Sequence, residues 1–308
     1  MAVLPGTSRT VIGFIAAHWV PLIQLSVVPV AIMVAMSLAA GWAISGVFAE
    51  LMALQLNPDI PLDPGVMRSV LRAEGLSMLM NIVAALAMAW LFVRLIRYYA
   101  FGELSWASLG PGGIKPVLLT VLYGIGIAIL TFLVYIAGVI VLALVIGLFA
   151  GVAGIGDSGS GAVIFAVVAG GAFIGLVAFV LWFQCRFIVA LPAVALGTSP
   201  DFFKGMWPLS KGESWGVPLR LILGSLVFLL VFLPVAGLAA WPYFAAMIEQ
   251  ARTGMMPDAI QPGDILRRLM LAGLLGFVVQ IPWIWFISLL LAEAYRRFIG
   301  RPGAPAFR

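Results

Sequence analysis

Between Pro116 and Phe149 the chain carries no charged residue. Wound as an α-helix, that run is about 50 Å long, against a bilayer hydrocarbon core of about 30 Å. A segment of this kind belongs in a membrane. A helix there must tilt strongly, protrude, or bend near a glycine such as Gly138 or Gly147.

The remaining sequence agrees. Of 308 residues, 64% are hydrophobic and 9% charged, where soluble domains carry about 25% charged residues. Mean hydropathy is +1.17. Other apolar runs also exceed the roughly 20 residues that cross a bilayer. The expectation is an all-α polytopic membrane bundle. It has six transmembrane helices in three hairpins, plus short interfacial helices, in a single domain over residues 1–308. The spans are read at 24–48, 74–97, 116–149, 162–186, 217–248 and 266–295.

Several segments refine this picture. Ser8 to His18 places Val11, Phe14, Ile15 and His18 at helical spacing, a short interfacial helix interrupted or kinked at Pro21. The run from there continues to about residue 48, too long for a cleaved signal peptide, so it is read as retained. In the first span Ser37, Gly41 and Ser45 recur every fourth residue, which lets a neighbouring helix approach closely. Residues 55–66, 102–115, 151–161 and 253–264 are rich in glycine, proline, serine or aspartate and read as loops. Ser199-Pro200-Asp201 starts a helix with cap, proline and acidic first turn in order. Phe202, Phe203, Met206 and Trp207 beside Lys204 and Lys211 suit a helix lying on the membrane surface.

Charge sets the orientation. Each even-numbered span ends in an arginine beside an aromatic, Arg97-Tyr98, Arg186-Phe187 and Arg297-Phe298, a threefold hairpin pattern. Of the 17 lysines and arginines, twelve fall on the side that holds these ends and five on the other. Positive residues gather on the cytoplasmic side, so both termini are expected in the cytoplasm. The net charge of +5 is explained in the same way. There is no block of like charges, and nucleic acid is not an expected partner.

Catalytic sets are thin. Gly154, Gly156 and Gly159 spell G-x-G-x-x-G, but between two spans, without the strand that motif needs. The GDSGS around Ser158 has only His18 as a histidine partner, at the opposite face in this topology. One histidine and the single cysteine, Cys185, leave metal chemistry without ligands. A lipid-modifying enzyme would draw its carboxylates from Glu103, Asp201, Glu213 and Glu293. No catalytic residue, metal or cofactor is expected.

Two binding surfaces remain. Arg94, Arg97, Arg186, Lys204, Lys211, Arg296 and Arg297, with Trp207 and Trp215, form a cytoplasmic-face cluster for lipid headgroups or a partner. Arginine suits phosphate because its planar fork contacts two oxygens at once, although topology anchoring explains the same residues. Glu293 belongs with Arg296 and Arg297, one helical turn away. Asn81 and Gln280 are the deepest strongly polar groups within the spans. Interhelical hydrogen bonding and a substrate site both account for them.

The stretch from Arg186 to Trp215 carries a recognisable pattern. Arg186, Phe187, Ala190, Leu191, Pro192, Ala193, Ala195 and Leu196 are followed by Ser210, Lys211, Gly212 and Trp215. This resembles the bacterial YciC-like and glycerophosphoryl diester phosphodiesterase membrane-domain families, which often have Thr-Arg-Gly where this chain has Ser-Lys-Gly. The resemblance implies a six-span bundle resident in the bacterial inner membrane. Phosphodiesterase chemistry there belongs to a separate soluble domain, and nothing here resembles it. The expected role is non-enzymatic, structural or accessory, through phospholipids or a partner membrane complex. The rival is a transporter or channel for a lipidic or weakly polar solute, lined by Asn81, Gln280 and Tyr123.

Overall fold

The computed structural model describes residues 4–56, 64–104, 114–153, 159–189, 191–197, 216–253 and 262–299. Among them every regular element is an α-helix: α1 (Leu4–Ala17), α2 (Trp19–Leu56), α3 (Pro64–Phe101), α4 (Lys115–Ala153), α5 (Gly159–Ile188), α6 (Leu191–Ala195), α7 (Gly216–Thr253) and α8 (Pro262–Ile299). The chain is an all-α helical bundle and a membrane protein. Five stretches among the described residues are long and apolar enough to cross a bilayer: Trp19–Ala43, Pro64–Phe101, Lys115–Leu148, Val167–Ala195 and Gly216–Pro234. The sixth expected span falls on α8, where most side chains before residue 280 lie outside the described residues.

Prolines punctuate the helix starts. Pro64 and Pro262 are first residues, Pro116 and Pro192 second, and Pro21 and Pro218 third. First-turn N–H groups have no intrahelical acceptor, so a residue without one fits there at little cost. The helices overrun the expected spans at both ends; α3, for example, begins at Pro64 instead of residue 74. Hydropathy reports where apolar surroundings end, whereas helical hydrogen bonding continues through Arg68, Arg72 and Glu74.

The break between α1 and α2 falls at His18, three residues before the proline expected to cause it. Pro21 has no N–H to offer the Ala17 carbonyl, so the ladder loosens one turn upstream. The His18 ring Nδ1 donates to the Phe14 carbonyl at 3.0 Å and stacks on the Phe14 ring at 4.2 Å.

The helices group into two compact units. The first holds α1, α2, α3, α7 from Ile222 and α8 as far as Leu290. Its core joins Leu22, Leu25 and Met33 of α2 to Ala87, Leu91 and Leu95 of α3, with Val11 from α1 and Trp285 and Leu289 from α8. α2 and α3 run antiparallel. The buried Trp285 indole N–H donates to Ser26 Oγ at 2.8 Å, and the Ser26 hydroxyl donates in turn to the Leu22 carbonyl at 2.7 Å. α7 meets α8 through aromatic rings, Phe228 stacking on Trp283 at 5.6 Å. The approach requires Gly224, since a Cβ there would sit 2.9 Å from the Trp283 ring.

The second unit holds α4, α5, α6, the start of α7 and the end of α8 from Leu291. Ile127 and Phe187 form its apolar centre, with Tyr123, Leu130, Phe183 and Leu191 packed around them. The Leu191–Ala195 turn is short and small-sided. Pro192, Ala193, Val194 and Ala195 are all buried in consequence. Further along α4 the surface opens, and none of its most apolar window is buried although that window has a mean hydropathy of 3.0.

Replacing Ser26 with Ala leaves the Trp285 N–H without its acceptor in a dry core. The expected loss is about 1–3 kcal/mol of stability. Changing Trp285 to Phe in the Ser26→Ala background recovers part of it, read by thermal unfolding in detergent.

Candidate functional site

The candidate site residues divide between the two units. Arg94 and Arg97 lie near the C-terminal end of α3, buried to 6% and 5% exposure. Arg186 near the end of α5 is half-buried, and on α8 Arg296 is exposed while Arg297 is half-buried. Lys204, Trp207, Lys211 and Trp215 lie outside the described residues, as do the surface helix expected there and residues 154–158 of the glycine and GDSGS strings; Gly159 and Ser160 begin α5.

A guanidinium leaving water needs compensation on its flat face and at its edges. The faces are covered from within the same helix. The Arg94 guanidinium carbon lies 5.4 Å from the Trp90 ring centre, Arg97 lies 6.0 Å from Phe101, and Arg186 lies 4.6 Å from Trp182. Each pair is four residues apart, the spacing that stacks side chains on one helical face.

The edges are met differently in each case. Arg97 makes a bidentate pair with Glu103, Nε to Oε2 at 2.9 Å and Nη2 to Oε1 at 3.3 Å. Glu103 reaches back because α3 ends at Phe101 and Gly102 adopts a left-handed φ of +69°. The Gly102 N–H closes that turn on the Tyr98 carbonyl at 2.8 Å. Arg94 Nη1 extends across to the Leu25 carbonyl of α2 at 3.5 Å, the long end of hydrogen-bond range. Leu25 has that carbonyl to offer because Pro29, four residues on inside α2, supplies no N–H. The proline vacates an acceptor, and the buried arginine takes it.

In the second unit Glu293 is 1% exposed and gathers both following arginines. Arg296 Nε reaches Oε2 at 2.9 Å and Arg297 Nε reaches Oε1 at 3.0 Å. The arginines are unequal. Arg296 keeps 70% of its side chain exposed and Arg297 27%, so Arg296 is the cation of this pair that remains turned outward.

The two intramembrane polar candidates also differ. Gln280 is half-buried, and Asn81 is exposed on α3. Asn81 lines an open groove of about 420 Å³ along one face of α3 with Glu74, Ser77, Met78, Ile82 and Ala85. Sequence reading passed over Glu74 and Ser77, although both fall within the span read at 74–97; their shared face with Asn81, at steps of three and four, was the available signal. It also passed over Trp90 and Pro29, and over Trp182 as the ring that covers Arg186.

No family model, curated protein or solved structure matches the chain.

Two measurements probe these arginines. Glu103→Ala strips a buried guanidinium of its carboxylate, and because Glu103 is itself one-third exposed the expected cost is about 2 kcal/mol. Glu103→Gln costs less, since its amide oxygen still accepts. For Arg94, a double-mutant cycle is informative. Pro29→Ala restores the helical donor to Leu25, so Arg94→Leu in that background costs about 1 kcal/mol less than in the parent. Additive costs would show that the proline and the arginine are independent.

Proposed function

We propose that this chain is a non-enzymatic integral protein of a bacterial inner membrane, structural or accessory in role, acting through phospholipids or a partner membrane complex. The observation that carries the reading is the use to which its charges are put. Arg97 is tied to Glu103, Arg297 to Glu293, and Arg94 and Arg186 are stacked on tryptophans. Charges spent on holding the fold leave the apolar flanks as the chief outward feature, and the uncovered flank of α4 supplies a large one.

Two further points support it. Tyr123, which a solute path would need, packs against Ile127 and Phe187. The resemblance of the Arg186–Trp215 stretch to the YciC-like membrane-domain families agrees with a bundle of this kind, with Lys204 and Lys211 on its cytoplasmic face. Within the proposal Arg296 and the lysines of that stretch are the cations that meet lipid phosphates, while Arg94 and Arg97 brace the helices of their own unit.

Extraction from native membranes in a lipid-retaining polymer, followed by identification of what accompanies the chain, tests the role. Retained phospholipid or a stoichiometric membrane partner is the expected outcome, and a clean monomer overturns it. Reporter fusions at Lys211 and at both termini are expected to report from the cytoplasm; a periplasmic signal at Lys211 removes the orientation on which the lipid-phosphate assignment depends.

A further inference from the structure

The groove on α3 has a polarity gradient. Glu74 and Ser77 lie at one end, Asn81 in the middle, and Ile82 and Ala85 at the other, with Met78 alongside. Its depth follows from the helix itself. Glu74 and Arg97 stand on one continuous helix, and at 1.5 Å per residue they are about 35 Å apart. That distance slightly exceeds a hydrocarbon core of about 30 Å. With Arg97, Tyr98 and Tyr99 at one headgroup boundary, Glu74 falls at the other. Ser77 then lies about one turn deeper, at the glycerol-ester level, Asn81 about two turns deeper, in the upper acyl region, and Ala85 among the chains.

The side chains of Glu74, Ser77 and Asn81 make no hydrogen bond or ion pair with one another or with any other described residue. Glu74 and Asn81 are exposed, and Ser77 is half-buried. Hydrocarbon cannot satisfy an amide or a hydroxyl, so whatever covers this face brings its own polar groups. The charge there has one sign. Arg72 projects about 160° around the helix from Glu74 and Arg68 about 120°, leaving the carboxylate as the only charge on the groove's described wall.

The geometry points to a seat for a phospholipid with a primary ammonium headgroup, phosphatidylethanolamine being the chemical type. Glu74 accepts from the ammonium, Ser77 offers its hydroxyl at the glycerol-ester level, Asn81, tilted toward the helix N-terminus, reaches up to an ester carbonyl from just below it, and one acyl chain lies along Met78, Ile82 and Ala85. Charge complementarity favours this headgroup over an anionic one, and the order of polar and apolar groups matches the depth order within a lipid. The site is at the end of α3 opposite Arg97, so it stands or falls independently of the accessory role and of the arginine cluster.

Native mass spectrometry of the delipidated full-length protein, titrated in parallel with phosphatidylethanolamine and phosphatidylglycerol of matched chains, tests the assignment. Phosphatidylethanolamine adducts are expected to exceed phosphatidylglycerol adducts about fivefold in the parent protein. Glu74→Gln brings the two to parity, and Ala85→Trp, which fills the apolar end, lowers both. Both positions are exposed, so the fold tolerates these changes, which circular dichroism checks. Equal adducts in the parent, or an unchanged preference in Glu74→Gln, overturn the proposal. A second copy of the chain is the competing cover. Met78→Cys in a Cys185→Ala background, cross-linked in membranes, yields monomer on the present proposal. A dimer abolished by Asn81→Leu would make this face a self-association surface and overturn the lipid seat.

Discussion

An arginine that leaves water must be given back, by the protein, what hydration supplied. Much of the described structure near the helix ends follows from that requirement. Trp90, Phe101 and Trp182 cover guanidinium faces from one turn away, and Glu103 and Glu293 close the edges. The Pro29 gap in α2 belongs to the same account. A proline in a helix interior leaves an acceptor without a donor, and a buried arginine brings donors without acceptors. Placed opposite each other, the two deficits cancel.

The apolar interior is built on closeness instead of charge. In the unit containing α2 and α3, leucines interdigitate down an antiparallel pair, and Trp285 adds one directional bond to Ser26. Where α7 meets α8, Gly224 admits the Trp283 and Phe286 rings that a side chain would hold off. In the other unit the Leu191–Ala195 turn uses small residues to sink the backbone against α4. In a membrane, where lipid competes equally well for apolar surface, such steric fit and a few buried hydrogen bonds must do what water exclusion does in soluble cores.

Hydropathy made the helices legible, because a charge-free run such as 116–149 has few alternatives. Their ends were less so. α3 continues ten residues upstream of the apolar boundary, since hydrogen bonding along a helix does not stop where grease stops. Arginines were visible as a class, and their adjacency to aromatics, Arg97-Tyr98 and Arg186-Phe187, was read as a hairpin repeat, which says nothing of what covers them. Neighbours in sequence diverge by 100° on a helix, and the rings that cover the guanidinium groups lie four residues away. Arg94 was beyond reach, as its bond to Leu25 depends on the register of α2 against α3. Asn81 was legible as a polar residue in a span, and its company with Glu74 and Ser77 was available in the helical spacing of residues 74, 77 and 81 within that span.

The bond between Ser26 and Trp285 joins positions 259 apart in the chain. At ribosomal speeds of about 5–20 residues per second, the acceptor emerges on the order of 10–50 s before its donor exists. Through that interval α2 and α3 can already stand as a hairpin, yet the seam along Leu22, Leu25 and Ser26 that Trp285 and Leu289 later close has nothing of this chain to fill it. The nascent protein must therefore wait half-built in the insertion machinery or among lipids, and that pause is its most exposed moment for quality control.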